Sequence, residues 1–221
     1  MGKLTNIEAC VFDAYGTLFD VISSARQCAD DLGDIWINFS ALWRKKQLEY
    51  AWLRSLMGTY TDFWHITGDA LDYTMETFNV HNPLLRAKLM SLYLRLKPYP
   101  EVQHILEELK DRKFRLAILS NGSRTMLYSA LRHSRLHSLF DNVFSIDDVG
   151  VYKPSSDAYR LCTTQLDLAP NQISYQSANP WDTAGASVFG FNVVWINQIN
   201  QKTEKLGPES TGAIEVRSLN T

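Results

Sequence analysis

Apolar residues follow two rhythms along the 221-residue chain. The first is the short apolar run. Ala9 to Phe12, Phe114 to Leu119, Val143-Phe144, Ile173 to Gln176 and Asn192 to Ile196 each read as a buried strand. The second is recurrence at three and four residues, which gives a helix one wet and one dry face. It runs through Phe39, Trp43, Leu48, Trp52 and Leu56, then through Phe63 to Phe78 and Leu84 to Leu96. No strand-like run interrupts residues 20–97, and Pro98-Tyr99-Pro100 ends them. Beyond Pro100, helices are predicted over Val102 to Lys110, from Ser123 to near His133, and over Asp157 to Gln165. Strands alternating with helices predict a parallel sheet. The predicted fold is α/β: a Rossmann-like parallel-sheet core of residues 1–19 and 98–221. An all-helical cap of residues 20–97 is inserted after the first strand, over the sheet's carboxyl edge. Gln198 to Gly212 is polar and reads as a surface loop.

Composition narrows the function classes. The formal net charge is -2, so no bulk electrostatic footprint points to nucleic acid or to an anionic membrane. No run approaches the roughly 20 apolar residues of a membrane helix, and the N-terminus lacks the apolar centre of a signal peptide. Met1-Gly2 is followed by Asn6 where myristoylation needs Ser or Thr. Cys10, Cys28 and Cys162 are far apart, which suits reduced thiols and a cytoplasmic protein. Cys10 lies within the first strand and is expected to pack. His133 and His137 are spaced to share one helix face, but no acid or Cys stands near to complete a metal site.

Chemistry enters at the ends of the strands. Asp13 directly follows the first apolar run, where α/β sheets bind ligands. An acid there can also be a turn or capping residue. Ser120, Lys153 and Asp182 each follow, or lie shortly after, a predicted strand, so their loops should converge with that of Asp13 at one edge. Arg44, on the inserted helices, can face that edge from above. An ionised aspartate can serve as a nucleophile. Lys153 can favour its charged form by proximity, and Thr17 can hold the carboxylate by a hydroxyl hydrogen bond.

Five stretches carry a resemblance. They are Asp13 to Asp20 (D-A-Y-G-T-L-F-D), Ser40 to Arg44, Leu119 to Ser123, Tyr152-Lys153-Pro154, and the S-x-N-x-W-D block from Ser177 to Asp182. In this order they resemble the L-2-haloacid dehalogenase branch of the haloacid dehalogenase superfamily. The resemblance spans about Cys10 to Ile196. It implies the capped fold, a cytoplasmic homodimer, and hydrolysis of a 2-halocarboxylate to a 2-hydroxy acid through an ester on Asp13. Phosphatases of the superfamily carry a second aspartate two places after the nucleophile and bind Mg²⁺ with further carboxylates. Here that place holds Tyr15, a weak acid of reference pKa about 10, and the last loop supplies one acid, Asp182. A halide leaves as a stable anion without a proton, so no metal and no cofactor is expected.

The resemblance also implies roles. Arg44 clasps the halide or the carboxylate, and Ser120 and Asn121 hold the substrate carboxylate and help stabilise the halide. Tyr15, Leu48, Phe63 and Trp181 wall the carbon chain, and Ala14 belongs to the substrate-binding set. Tyr159 steadies Lys153 or Asp182, and Ser177, Asn179 and Asp182 position the hydrolytic water. Lys46 reads as solvated, and Lys45 is left open. Trp43, Trp52 and Trp64 offer more apolar surface than a small cap buries alone, which suits a dimer. The chain departs from the branch at Ala178, Pro180 and Lys45, and a terminal helix after Val216 to Leu219 is expected to be short or missing. Two other readings remain: a Mg²⁺-dependent small-molecule phosphatase, disfavoured by Tyr15, and a non-catalytic binding module, disfavoured by the intact set of charged residues.

Overall fold

A computed structural model describes residues 5–206 and 213–219. Among these residues six strands form one sheet: β1 (Ala9–Phe12), β2 (Arg115–Ser120), β3 (Asn142–Ser145), β4 (Ile173–Ser177), β5 (Asn192–Ile196) and β6 (Ile214–Val216). All neighbours are parallel, in the order β3-β2-β1-β4-β5-β6. All four residues of β1 are buried, as expected of a central strand covered on both faces. The chain fills the sheet on one side of β1 and then crosses to the other at β4. This reversal opens a crevice at the carboxyl ends of β1 and β4, and Asp13 stands in it.

Between β1 and α6 (Val102–Asp111) the chain is helical: α1 (Ser23–Arg26), α2 (Ala29–Leu32), α3 (Trp36–Met57), α4 (Phe63–Thr77) and α5 (Pro83–Tyr93). The chain leaving and re-entering the sheet runs side by side. Asp20 donates its N–H to the Lys97 carbonyl at 2.9 Å, and Tyr99 donates to that of Leu18 at 3.0 Å. The long helix α3 buries Phe39, Ser40, Trp43, Gln47 and Ala51, spaced as one helix face. Asp62 caps α4 by accepting from the N–H groups of Trp64 and His65, and Asn82 caps α5 ahead of Pro83. The remaining helices α7 (Arg124–His133), α8 (Ser156–Leu166) and α9 (Pro180–Phe189) alternate with strands.

Three expectations change. The tail forms the edge strand β6, paired with β5 from Val194–Ile214 to Ile196–Val216, a strand the sequence pattern does not predict; no helix follows it among the described residues. Three residues carry no periodicity, and the exposed edge of β5 supplies the pairing. Of the polar segment 198–212, residues 198–206 have no regular structure, and the rest lies outside the described residues. His133 ends α7 and His137 opens a separate 3₁₀ turn, because Arg135 takes a left-handed conformation (φ 60°) between them. The tryptophans are also used within the chain. Trp43 is buried and donates to the Thr67 carbonyl at 2.9 Å, and half-buried Trp52 packs edge-on against Trp181. Their number therefore supplies no argument for a dimer. Cys10, Cys28 and Cys162 are buried free thiols.

The α4 cap is testable. Asp62→Ala should lower the unfolding free energy by about 1 kcal/mol, read as a lower urea midpoint with unchanged slope. Burial works to raise the Asp62 carboxyl, but His65 and the capped N–H groups outweigh it and hold it below its ordinary value. A depressed folded pKa means the contribution is present above the ordinary carboxylate range and is lost as pH falls through the folded value. The penalty should therefore shrink in strong acid, and a penalty in strong acid as large as that at neutral pH would argue against this cap.

Candidate active site

The crevice holds a cluster of charged side chains almost sealed from solvent. The Asp13 N–H continues the sheet by donating to the Gln176 carbonyl at 2.9 Å. Gly16, at φ +94°, then folds the chain back on itself, a conformation that suits glycine. Thr17 returns to Asp13 and donates to its Oδ2 at 2.9 Å. Thr17 Oγ1 also accepts the Ala178 N–H at 2.9 Å, tying the β1 loop to the β4 loop. Asn179 Nδ2 donates to Asp13 Oδ2 at 2.8 Å and to the Tyr15 carbonyl at 3.2 Å.

Lys153 is fully buried. Its Nζ lies 2.8 Å from Asp13 Oδ1, 2.8 Å from Asp182 Oδ2, 2.8 Å from Tyr175 Oη and 3.1 Å from the Leu119 carbonyl. Its backbone is anchored twice: the N–H donates to Asn121 Oδ1 at 3.0 Å, and the carbonyl accepts from Trp52 at 3.2 Å. Asp182, in the first turn of α9, is also fully buried. Its Oδ2 accepts from Tyr175 and Ser177 at 2.9 Å each, and its Oδ1 from Tyr159 at 2.8 Å. Tyr159 thus steadies Asp182 directly.

Burial and charge oppose one another here. Burial works against the Lys153 ammonium, but the two carboxylates outweigh it and hold its pKa above the ordinary value. Burial raises the Asp182 carboxyl, and the Asp13 charge adds to this while Lys153 opposes it. Asp182 is thus a stronger base than a surface aspartate.

Above this layer lies a small recess, partly open to solvent. It is lined by Asp13, Tyr15, Arg44, Leu48, Phe63, Ser120, Asn121 and Trp181. Two buried polar atoms on this lining have no partner: Tyr15 Oη and Asn121 Nδ2. Buried donors are normally satisfied, so these two are available to a ligand. The Tyr15 ring is clamped by stacking on Tyr93 at 5.7 Å and by a tilted contact with Phe63 at 6.1 Å. Burial, with Tyr93 beside it, pushes its phenol well above the ordinary value despite Arg44. It is therefore a poor proton donor to a leaving alkoxide. Gly122 keeps the clamp possible, since a Cβ there would meet the Tyr15 ring at 2.5 Å.

Half-buried Arg44 reaches the recess from α3. It donates to Gln47 Oε1 at 2.7 Å and to the Tyr15 carbonyl at 3.3 Å. Buried Gln47 also accepts from Tyr93 at 3.0 Å and donates to Thr67 at 2.6 Å. This relay explains why a polar residue stands on the buried face of α3.

The structure brings together Asp13, Thr17, Lys153, Tyr159, Ser177, Asn179 and Asp182 as one layer, with Tyr15, Arg44, Leu48, Phe63, Ser120, Asn121 and Trp181 above or beside it. Ala14 is the exception. It does not line the recess, and its carbonyl instead accepts the turn N–H groups of Leu18 and Phe19. Lys46 is not simply solvated: it is half-buried, pairs with Glu49 at 2.9 Å and lies 4.6 Å over the Tyr73 ring. Lys45 is exposed. Sequence reasoning missed Tyr175, Gln47 and Trp52. Gln47 stands three residues from Arg44 on one helix, a spacing that signals contact. Tyr175 reads only as a strand residue, because nothing local announces what its hydroxyl meets.

Comparison with known proteins shows the family. The haloacid dehalogenase-like hydrolase family matches residues 7–190, and the chain belongs to that family. (S)-2-haloacid dehalogenase 1 of Pseudomonas sp. (strain CBS-3) is 44% identical over 199 residues, covering 90% of this chain and 88% of that protein. A dehalogenase crystal structure superposes with a TM-score of 0.95 at 40% identity, covering 99% of this chain and 96% of that one. The L-2-haloacid dehalogenase from Xanthobacter autotrophicus, solved with chloropropionic acid covalently bound, gives a TM-score of 0.89 at 34% identity and covers 96% and 95%.

The ion cluster yields a stability test. Lys153→Ala leaves two carboxylates buried without their cation, and should cost about 3–5 kcal/mol. A raised folded pKa means the lysine's contribution is fully present below its ordinary value and is lost as pH rises through the folded one. The difference in urea midpoint between Lys153→Ala and wild type should therefore be full at neutral pH. An unchanged midpoint there would mean that the carboxylates do not depend on this cation.

Proposed function

We propose that the chain is a hydrolytic (S)-2-haloacid dehalogenase acting on short L-2-haloalkanoates. The observation that carries this reading is Asp13, a carboxylate held by Lys153, Thr17 and Asn179 beneath a recess lined by Arg44 and by unpartnered Tyr15 and Asn121 donors. The relatives named above support it. Asp13 attacks C2 and expels halide, forming an ester with one inversion. Water then attacks the aspartyl carbonyl carbon, and an (R)-2-hydroxy acid leaves. Whichever Asp13 oxygen is alkylated, the other keeps a donor: Lys153 on Oδ1, or Thr17 and Asn179 on Oδ2. Ser177, Asn179 and Asp182 position the water, and the raised basicity of Asp182 suits it to take the proton.

Charge must be balanced, since a substrate carboxylate 4 Å from Asp13 is repelled by roughly 4 kcal/mol at an effective dielectric of 20. Arg44 and Lys153 offset this. Metal independence is part of the proposal. The Asn179 amide bridges Asp13 Oδ2 and the Tyr15 carbonyl, so a protein donor occupies the oxygens a cation would need. Residues 20–97 act as a cap closing over the core of residues 1–19 and 98–221, and Leu48, Phe63 and Trp181 wall the substrate. By the family resemblance the enzyme is a cytoplasmic homodimer.

Halide release from (S)-2-chloropropionate should persist in excess EDTA and be absent with the (R) enantiomer. Loss with EDTA, with Mg²⁺-dependent release of phosphate from a phosphate ester, would establish a phosphatase instead. Arg44→Ala should lower kcat by about 10²-fold, on the scale of removing one preorganised donor, with little change in thermal stability. An unchanged kcat would remove Arg44 from the reaction.

A further inference from the structure

Arg44 makes no ion pair among the described residues. It donates to two neutral oxygens, Gln47 Oε1 at 2.7 Å and the Tyr15 carbonyl at 3.3 Å. Packing does not enclose it either. It borders the recess and also a second small cavity, shared with Val21, Ser40, Trp43, Gln47 and Tyr93. The short bond to Gln47 is therefore the firmer of the two contacts that fix where the guanidinium stands.

Gln47 is buried one helical turn after Arg44 on α3. An arginine has five N–H donors and no acceptor, so only the amide oxygen of Gln47 can face it. That oxygen also accepts from Tyr93 Oη at 3.0 Å. The amide nitrogen donates to Thr67 Oγ1 at 2.6 Å, and Thr67 donates its own proton to the Phe63 carbonyl at 2.6 Å. A flipped amide would turn N–H groups on Arg44, so the orientation is set. Burial keeps the Tyr93 phenol above its ordinary value despite Arg44, so this neighbour is neutral as well.

A carboxylate would hold an arginine more strongly, because charge-assisted hydrogen bonds are the strong ones. It would also cancel the charge. During alkylation an Asp13 oxygen bonds to C2 while the C2–halogen bond breaks, and halide leaves with the bonding pair. Negative charge moves from Asp13 onto the halide, beside the substrate carboxylate. An arginine already neutralised from its own helix would answer that charge less. We infer that Gln47 is a positioning residue, aiming Arg44 at the recess while leaving its positive charge uncompensated. This rests on the dehalogenase reading above and on the place of Arg44 in it. Opening of the ester falls to Ser177, Asn179 and Asp182, so Gln47 should govern ester formation and not ester decay.

Two variants test this. Gln47→Met keeps the bulk but not the hydrogen bond, and should slow ester formation about tenfold, the scale of one hydrogen bond to a charged group. Gln47→Glu keeps the shape and the contact but neutralises Arg44, and should slow it about 10²-fold, as loss of a preorganised donor does. With (S)-2-chloropropionate and enzyme in excess, the halide-release rate in a single turnover reports formation. Steady-state kcat divided by the fraction of Asp13 found as ester, by mass spectrometry after acid quench, reports decay. Neither quantity depends on the folded fraction, so partial unfolding cannot imitate the pattern. Decay should stay at the wild-type value in both variants while kcat/KM falls with formation. Equal slowing of both steps, slowing of decay alone, or no slowing would overturn the role of Gln47 and leave the dehalogenase reading intact. Gln47→Glu no slower than Gln47→Met would overturn it too, since the neutrality of the partner would then be immaterial. Wild type that releases no halide, or releases it without an ester, would overturn that reading and this inference with it.

Discussion

One buried ammonium organises this protein. Lys153 is enclosed between two carboxylates at 2.8 Å each, and removing charge from water is costly unless geometry and further hydrogen bonds compensate. The compensation comes from distant parts of the chain. Asp13 ends β1, Leu119 lies on β2, Tyr175 on β4 and Asp182 on α9. Each contributes one contact to the same nitrogen. The parallel sheet is what makes this possible, because it brings the carboxyl ends of β1, β2 and β4 to one edge.

The same cation links sheet and helices. The Lys153 carbonyl accepts from Trp52 on α3, and Tyr152 donates its N–H to Ser55 at 3.0 Å and its hydroxyl to the Thr61 carbonyl at 2.6 Å. Tyr60 closes a further link by donating to Asp147 at 2.6 Å. The lysine loop is therefore also the seam against which the helices rest. A second polar chain, from Thr67 through Gln47 to Arg44, fixes the arginine from its own side of the recess. Two charged groups of opposite origin thus meet across a small volume with little freedom to move. Preorganisation of this kind favours a transition state whose charge is spreading onto a leaving group.

Electrostatics and sterics separate the roles of similar residues. Tyr15, Tyr159 and Tyr175 are all buried phenols raised above their ordinary pKa. Tyr159 and Tyr175 donate to Asp182, whereas the Tyr15 hydroxyl has no protein partner and lies on the recess. The geometry alone distinguishes a hydroxyl that supports Asp182 from one left without a protein partner.

The sequence by itself determined the parallel sheet, the helical insert after β1, and most of the site. Period, apolar runs and strand-end polar residues are local signals, so Asp13, Ser120, Lys153 and Asp182 were legible as a converging set, and the motif resemblance supplied the rest of the site. Tertiary structure decided what no local pattern encodes. The three-residue strand β6 exists because β5 offers an unpaired edge. Ala14 turns the chain where a lining residue was expected. Trp52 reads as a helix-face residue and nothing in the pattern singles out Gln47, yet one anchors the lysine loop and the other aims the arginine. Tyr175 reads as an ordinary strand residue, yet its hydroxyl meets both Lys153 and Asp182. The reason is common to all of these. A hydrogen bond between residues far apart in the chain leaves no trace in spacing, and only the folded geometry says which polar atoms meet.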